Sequence, residues 1–109
     1  MANYRKSESL EWARENLRGQ WSTLMTPFTP DDELDETGLR NNIQRVISLG
    51  THGAGFTWGM GEFWALTQEE RKRIYDIASD ESNGSWPIAA HVSHTSYKEV
   101  VELATYAEH

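Results

Sequence analysis

Ala54-Gly55-Phe56-Thr57-Trp58-Gly59-Met60-Gly61-Glu62 is the stretch whose reading decides how this chain folds. Residues 54–58 are too few and too apolar for an amphipathic helix, and they read as a strand buried on both faces. Two glycines around Met60 follow at once. At the end of a buried strand they set bare backbone N–H groups where a small anion can approach. A dinucleotide fingerprint is excluded, because Gly53-Ala54-Gly55 lies at the start of the strand and Trp58 stands where a third glycine belongs. A phosphate P-loop needs Gly-Lys-Ser/Thr, which is absent. Two readings stay open. One is a tight turn that packs strand on helix; the other is a carboxylate or oxyanion cradle at a strand's C-terminal end, where α/β folds place their ligands.

Working outward, the segment from Glu36 to Leu49 carries Leu39, Ile43, Val46 and Ile47 at i, i+4, i+7 and i+8, one helical face closed by Gly50. Before it, Trp21 to Thr26 reads as a strand ended by Pro27. Ser7 to Arg18 reads as a short polar helix stopped by Gly19. On the other side, Thr67-Gln68-Glu69-Glu70 is a capping box, and the helix it opens has Ile74, Ile77 and Ala78 on its inner face. Pro87 to Val92 reads as a third strand. Ser96-Tyr97-Lys98-Glu99 is a second capping box, opening a helix with Val100, Val101, Ala104 and Ala107 turned inward. Strands alternating with helices at a spacing of roughly 30 residues predict an α/β fold with a parallel sheet and right-handed crossovers.

Composition narrows the function. Of 109 residues, 38% are hydrophobic and 25% charged, the balance of a globular domain or of part of a larger one. A formal charge of −7 with no basic stripe argues against nucleic acid, and Arg71-Lys72-Arg73 reads as a solvated helix face. No cysteine is present, which excludes disulfides, zinc ribbons and thiol nucleophiles and fits a reducing cytoplasm. No apolar run approaches the roughly 20 residues of a membrane span. The last helix runs to His109 with no stop signal, and three strands leave a sheet edge uncovered. The expectation is therefore a truncated larger domain, with a leading extension over residues 1–18 and three βα units over 19–109.

Few side chains offer chemistry. Glu62 suits a general base, a helix N-terminal charge or an acceptor tying the loop to nearby N–H groups, the last being the commonest role. His91, at the end of the third strand, reads as polar lining of an active site, and His94 as a surface turn residue. A metal site on these two lacks a third ligand, so no metal is expected. Thr26 and Ser93 are hydroxyls at strand ends with no adjacent base. The five tryptophans read as core or interface packing.

Four blocks in order carry a resemblance: Thr26-Pro27-Phe28; Asp35-Glu36-Thr37-Gly38-Leu39; Gly59-Met60-Gly61-Glu62 with Leu66-Thr67-Gln68-Glu69-Glu70-Arg71; and Pro87-Ile88-Ala89-Ala90-His91-Val92. Together they resemble the N-terminal third of the dihydrodipicolinate synthase/N-acetylneuraminate lyase family. The resemblance implies a TIM (β/α)8 barrel, of which this chain holds a leading helix and about three βα units. It further implies a cytoplasmic homotetramer without metal or organic cofactor, acting on a pyruvate-like 2-oxo acid through a lysine Schiff base. By the same resemblance Gly59, Met60 and Gly61 bind the substrate carboxylate, and Thr26, Glu62 and His91 line the pocket. No catalytic residue falls in the chain. Lys6, Lys72 and Lys98 match no strand-end lysine, and Tyr75, Tyr97 and Tyr106 do not match the family's catalytic tyrosine. Both are expected beyond His109, which makes this segment inactive alone.

The departures bear on the substrate. The family's loop usually reads Gly-Thr-Thr-Gly-Glu, so Gly59 and Met60 stand at threonine positions without hydroxyls. After the third strand a usual Gly-Thr-Gly is replaced by His91-Val92-Ser93. Gly19-Gln20-Trp21 with the leading helix resembles the hydratase-aldolase branch, and a sugar-acid dehydratase branch is a further alternative. Outside the family, a small non-enzymatic α/β anion-binding module and an interaction protein that recruits a partner by strand addition stay open.

Overall fold

The short run Gly53–Phe56 is the middle strand of a three-stranded parallel sheet. The computed structural model describes residues 4–109. Its strands β1 (Trp21–Thr23), β2 (Gly53–Phe56) and β3 (Ile88–Ala90) lie in the order β1-β2-β3. Trp21 pairs with Gly53 across one side of β2, and Ala54 with Ile88 across the other. All four residues of β2 are buried, as a strand with neighbours on both sides and cover on both faces must be. Its flanking strands are only partly buried.

Helices α1 (Ser9–Asn16), α2 (Glu36–Ser48), α3 (Gln68–Ser82) and α4 (Tyr97–Glu108) complete the alternation. The Asp35 carboxylate caps α2 by accepting from the Gly38 N–H at 2.9 Å. Leu39 and Ile43 on its predicted face are buried, with Val46 and Ile47 packed against the same cluster. The capping box of α3 forms in both directions, Glu70 N–H to the Thr67 hydroxyl at 3.1 Å and Thr67 N–H to the Glu70 carboxylate at 2.8 Å. Ile74, Ile77 and Ala78 then meet Ala54, Phe56, Leu39 and Ile43 in one core. Ala54 and Phe56 therefore face the helices, while Gly53 and Gly55 face the other way.

Several boundaries differ from expectation. β1 stops at Thr23 rather than Thr26, β3 spans only Ile88–Ala90, and β2 ends at Phe56 because Thr57 turns into the left-handed region at φ +56. The second capping box does not form. Ser96 makes no side-chain cap bond; its N–H donates to His94 Nδ1 at 2.9 Å, and Glu99 accepts instead from Gln68. The inner face of α4 is also rotated from the one expected. Leu103 is its buried residue, whereas Val101 is 45% exposed and Ala104 exposed, where α4 packs against α3. Among the described residues no helix is long and apolar enough to cross a membrane.

The docking of α4 can be checked by truncating each candidate contact. Leu103→Ala is expected to lower stability in urea by about 2–5 kcal/mol, the range for emptying a core leucine site. Val101→Ala is expected to stay within about 0.5 kcal/mol of the parent, as exposed substitutions do.

Candidate functional site

Three loops gather at the C-terminal end of the sheet, one after each strand. After β2, Trp58 is extended, Gly59–Gly61 form a single 3-10 turn, and Glu62 closes it in the left-handed conformation at φ 57. As the first residues of that turn, Gly59 and Met60 have backbone N–H groups with no acceptor inside it. A Cβ added at Gly59 would meet nothing within 4 Å, so this face of the turn is open. A Cβ at Gly61 would lie 3.2 Å from the Leu24 carbonyl, and Gly61 is buried.

Hydroxyls at the end of β1 and in the loop after it brace the turn. The Thr26 hydroxyl donates to the Gly61 carbonyl at 2.8 Å. Thr23 donates to the Met60 thioether at 3.2 Å, and Met60 is otherwise 58% exposed. The expected role of Glu62 as an acceptor is not the one observed. Its side chain is exposed and, among the described residues, accepts no hydrogen bond, so the residue serves the loop through its backbone.

The sheet face turned away from the helices is paved with indole. A Cβ on Gly55 would come within 2.3 Å of the Trp58 ring, and one on Gly53 within 2.9 Å of the Trp21 ring. Trp58 can lie on β2 only because Gly55 has no side chain.

The carbonyl of His91 ties the second loop to the third. It accepts from the Tyr75 hydroxyl at 2.7 Å, from the Thr57 hydroxyl at 3.1 Å and from the Arg71 guanidinium. Arg71 also donates to the Ser93 carbonyl at 2.9 Å. The reading of Arg71 as a solvated residue is thereby corrected: it is 1% exposed, and among the described residues no carboxylate pairs with it. Backbone carbonyls of the third loop take the place of a counter-ion. Its neighbours on the triplet do lie outward, Arg73 bound to Glu36 at 2.7 Å and Lys72 to Glu102 at 2.5 Å. Residue 71 sits three, four and seven positions before Ile74, Tyr75 and Ala78, all buried, and that register was the available signal for it. Nothing local marks Thr57, 1% exposed at a left-handed φ, a conformation costing a β-branched residue on the order of 1–3 kcal/mol.

The His91 ring stands edge-on to Phe63 at 4.5 Å, and its Nδ1 is buried without a partner among the described residues. Burial, and then the Arg71 charge beside it, hold its pKa below the ordinary 6.5. The imidazole is therefore neutral at pH 7. His94 is exposed, as expected of a turn residue, and among the described residues no three His, Asp or Glu side chains stand together as a metal site. A cavity of about 480 Å³ between α1 and the start of β3, lined by Trp12 and Trp86, lies at the opposite end of the sheet.

Comparison with known proteins places this geometry. The model of the dihydrodipicolinate synthetase family matches residues 16–109. The chain is 39% identical over 93 residues to a 4-hydroxy-tetrahydrodipicolinate synthase of Methanopyrus kandleri, covering 84% of this chain and 31% of the relative. It is 36% identical over 94 residues to an N-acetylneuraminate lyase of Clostridium perfringens, covering 83% and 32%. The chain thus spans about a third of the length of the curated relatives it matches. A crystal structure of dihydrodipicolinate synthase from Aquifex aeolicus superposes with a TM-score of 0.79 at 27% identity, over 84% of this chain and 31% of that one. The N-acetylneuraminate lyase of Mycoplasma synoviae, at 24% identity, shares the fold with a TM-score of 0.82 over 86% and 32%. The three βα units are accordingly the N-terminal portion of a (β/α)8 barrel, and the indole-covered face is its interior.

Gly55→Ala is expected to cost about 1–3 kcal/mol in urea melts, because the new methyl group and the Trp58 ring cannot share one space. A pH series tests His91. Its folded pKa is depressed, so below about pH 6.5 the unfolded chain binds a proton that the folded chain does not. Stability should fall as pH drops through 6.5 and level off below the folded pKa, and His91→Asn should remove that part of the slope.

Proposed function

The chain belongs to the dihydrodipicolinate synthetase family, and from that premise we propose that it is the N-terminal part of a lyase acting on a 2-oxo acid through a lysine Schiff base. The observation that carries the proposal is the Gly59–Gly61 turn at the end of the central strand, with two N–H groups unused by the turn and an open approach at Gly59. Gly59, Met60 and Gly61 hold the substrate carboxylate through backbone N–H groups. Thr26 braces the turn, and Glu62 and His91 line the pocket around it.

The chemistry is that of an imine. A lysine amine adds to the keto carbon, water leaves, and the resulting iminium withdraws electrons so that the adjacent carbon can form or break a C–C bond. The lysine and the proton-handling tyrosine belong to strands following His109. Lys72 is held by Glu102, and Lys6 and Lys98 lie in a turn before α1 and on α4, none at a strand end. The enzyme is a cytoplasmic tetramer, and the leading extension over residues 1–18 precedes its first βα unit. With Trp58, Gly59 and Met60 in the loop, its substrate differs from that of the lysine-biosynthetic synthase.

Borohydride trapping tests the reading. The protein extended through its complete barrel is expected to gain the mass of a reduced pyruvate adduct, and the present chain of 109 residues to gain none. A stable adduct on Lys6, Lys72 or Lys98 would overturn the assignment.

A further inference from the structure

We propose that Thr57 is a positioning residue, whose hydroxyl, anchored on the His91 carbonyl, holds the left-handed turn that lays Trp58 across Gly55 and presents the Gly59–Gly61 turn to the substrate. The proposal rests on the lyase reading for the word substrate, and on geometry alone for the rest. Thr57 is 1% exposed and sits at φ +56, where a β-branched residue is an outlier. Such a conformation persists only where its surroundings over-determine it. The surroundings are visible: Thr57 Oγ1 donates to the His91 carbonyl at 3.1 Å and lies 3.5 Å from the Tyr75 hydroxyl, which donates to the same carbonyl. Arg71 and Tyr75 fix that oxygen from α3, so the anchor does not follow the loop. One residue on, the Trp58 indole fills the space that a Cβ at Gly55 would need. If residue 57 relaxed to an extended conformation, the direction of the chain would change and Trp58 would leave β2, taking the carboxylate turn with it.

The test separates the device from the enzymology. The chain is labelled with 5-fluorotryptophan, and the Trp58 resonance is identified by its loss in Trp58→Phe. Thr57→Val, isosteric but without a hydroxyl, is expected to move the Trp58 resonance toward its position in the unfolded chain while the other tryptophans stay in place. Thr57→Ser is expected to restore it. Should Thr57→Val unfold the protein, so that every resonance collapses, Thr57→Ala decides, since it removes the hydroxyl and the β-branch but keeps a Cβ, and with it a disfavoured left-handed residue. A Trp58 resonance unmoved by the loss of the hydroxyl overturns the proposal. In the complete enzyme Thr57→Val should raise KM for pyruvate by about tenfold, the worth of one hydrogen bond, with a smaller change in kcat. A wild-type enzyme that forms no borohydride-stable pyruvate adduct refutes the lyase reading, and the fluorine spectrum still decides the role of Thr57.

Discussion

One carbonyl oxygen, that of His91, gathers Thr57, Tyr75 and Arg71 at the C-terminal end of the sheet. Strand β2 leaves the sheet at Phe56, and its next residue adopts a conformation that the chain alone disfavours. What makes that conformation tenable is a fixed acceptor on the neighbouring strand's end, held by two side chains from α3. The first donor, Tyr75, is neutral; the second, Arg71, is a buried cation. A buried guanidinium without a carboxylate is costly unless its protons find acceptors; here carbonyls of residues 91 and 93 accept from its two terminal nitrogens, while Nε has no partner among the described residues. The third loop is therefore pinned by the helix that follows the second. Sequential βα units are locked to one another at the C-terminal end of the sheet, and through backbone atoms.

The two faces of β2 explain why its sequence is Gly-Ala-Gly-Phe. Toward the helices, Ala54 and Phe56 join Leu39, Ile43, Ile74 and Ile77 in a close-packed core that supplies most of the apolar burial. Toward the barrel interior, the two glycines leave only backbone, and the indoles of Trp21 and Trp58 lie directly on it. Ion pairs play a different part. Arg73 with Glu36 and Arg40 with Glu81 link α3 to α2, while Lys72 with Glu102 links it to α4. Each has at least one partner about a third or more exposed to solvent, where such pairs add little to stability.

Sequence patterns conveyed the alternation of strands and helices, the buried middle strand and the Thr67 capping box, because each rests on local periodicity or on residues three apart. The Ser96 box failed for a reason local pattern does not contain: Gln68, on a different helix, competes for Glu99. The face of α4 differs from the expected one likewise, since Val101 and Leu103 are both apolar and the docking partner decides between them. In the site, Gly59, Gly61 and Thr26 were legible as a glycine turn beside a strand-end hydroxyl. Thr57 was not, because a left-handed threonine leaves no trace in composition and depends on a carbonyl 34 residues away. Arg71 was half legible, its helical register arguing for burial while its charge argued against.

The glycine at position 59 has a meaning of its own. Unlike Gly55, which lies under a ring, and Gly61, which faces a carbonyl, it occupies open space at an ordinary backbone conformation. Nothing in the fold requires glycine there. Glycine at this position is therefore not a concession to packing. Position 59 is a socket into which a side chain can be placed without disturbing the scaffold, so the surface this loop presents can drift while its architecture stands still.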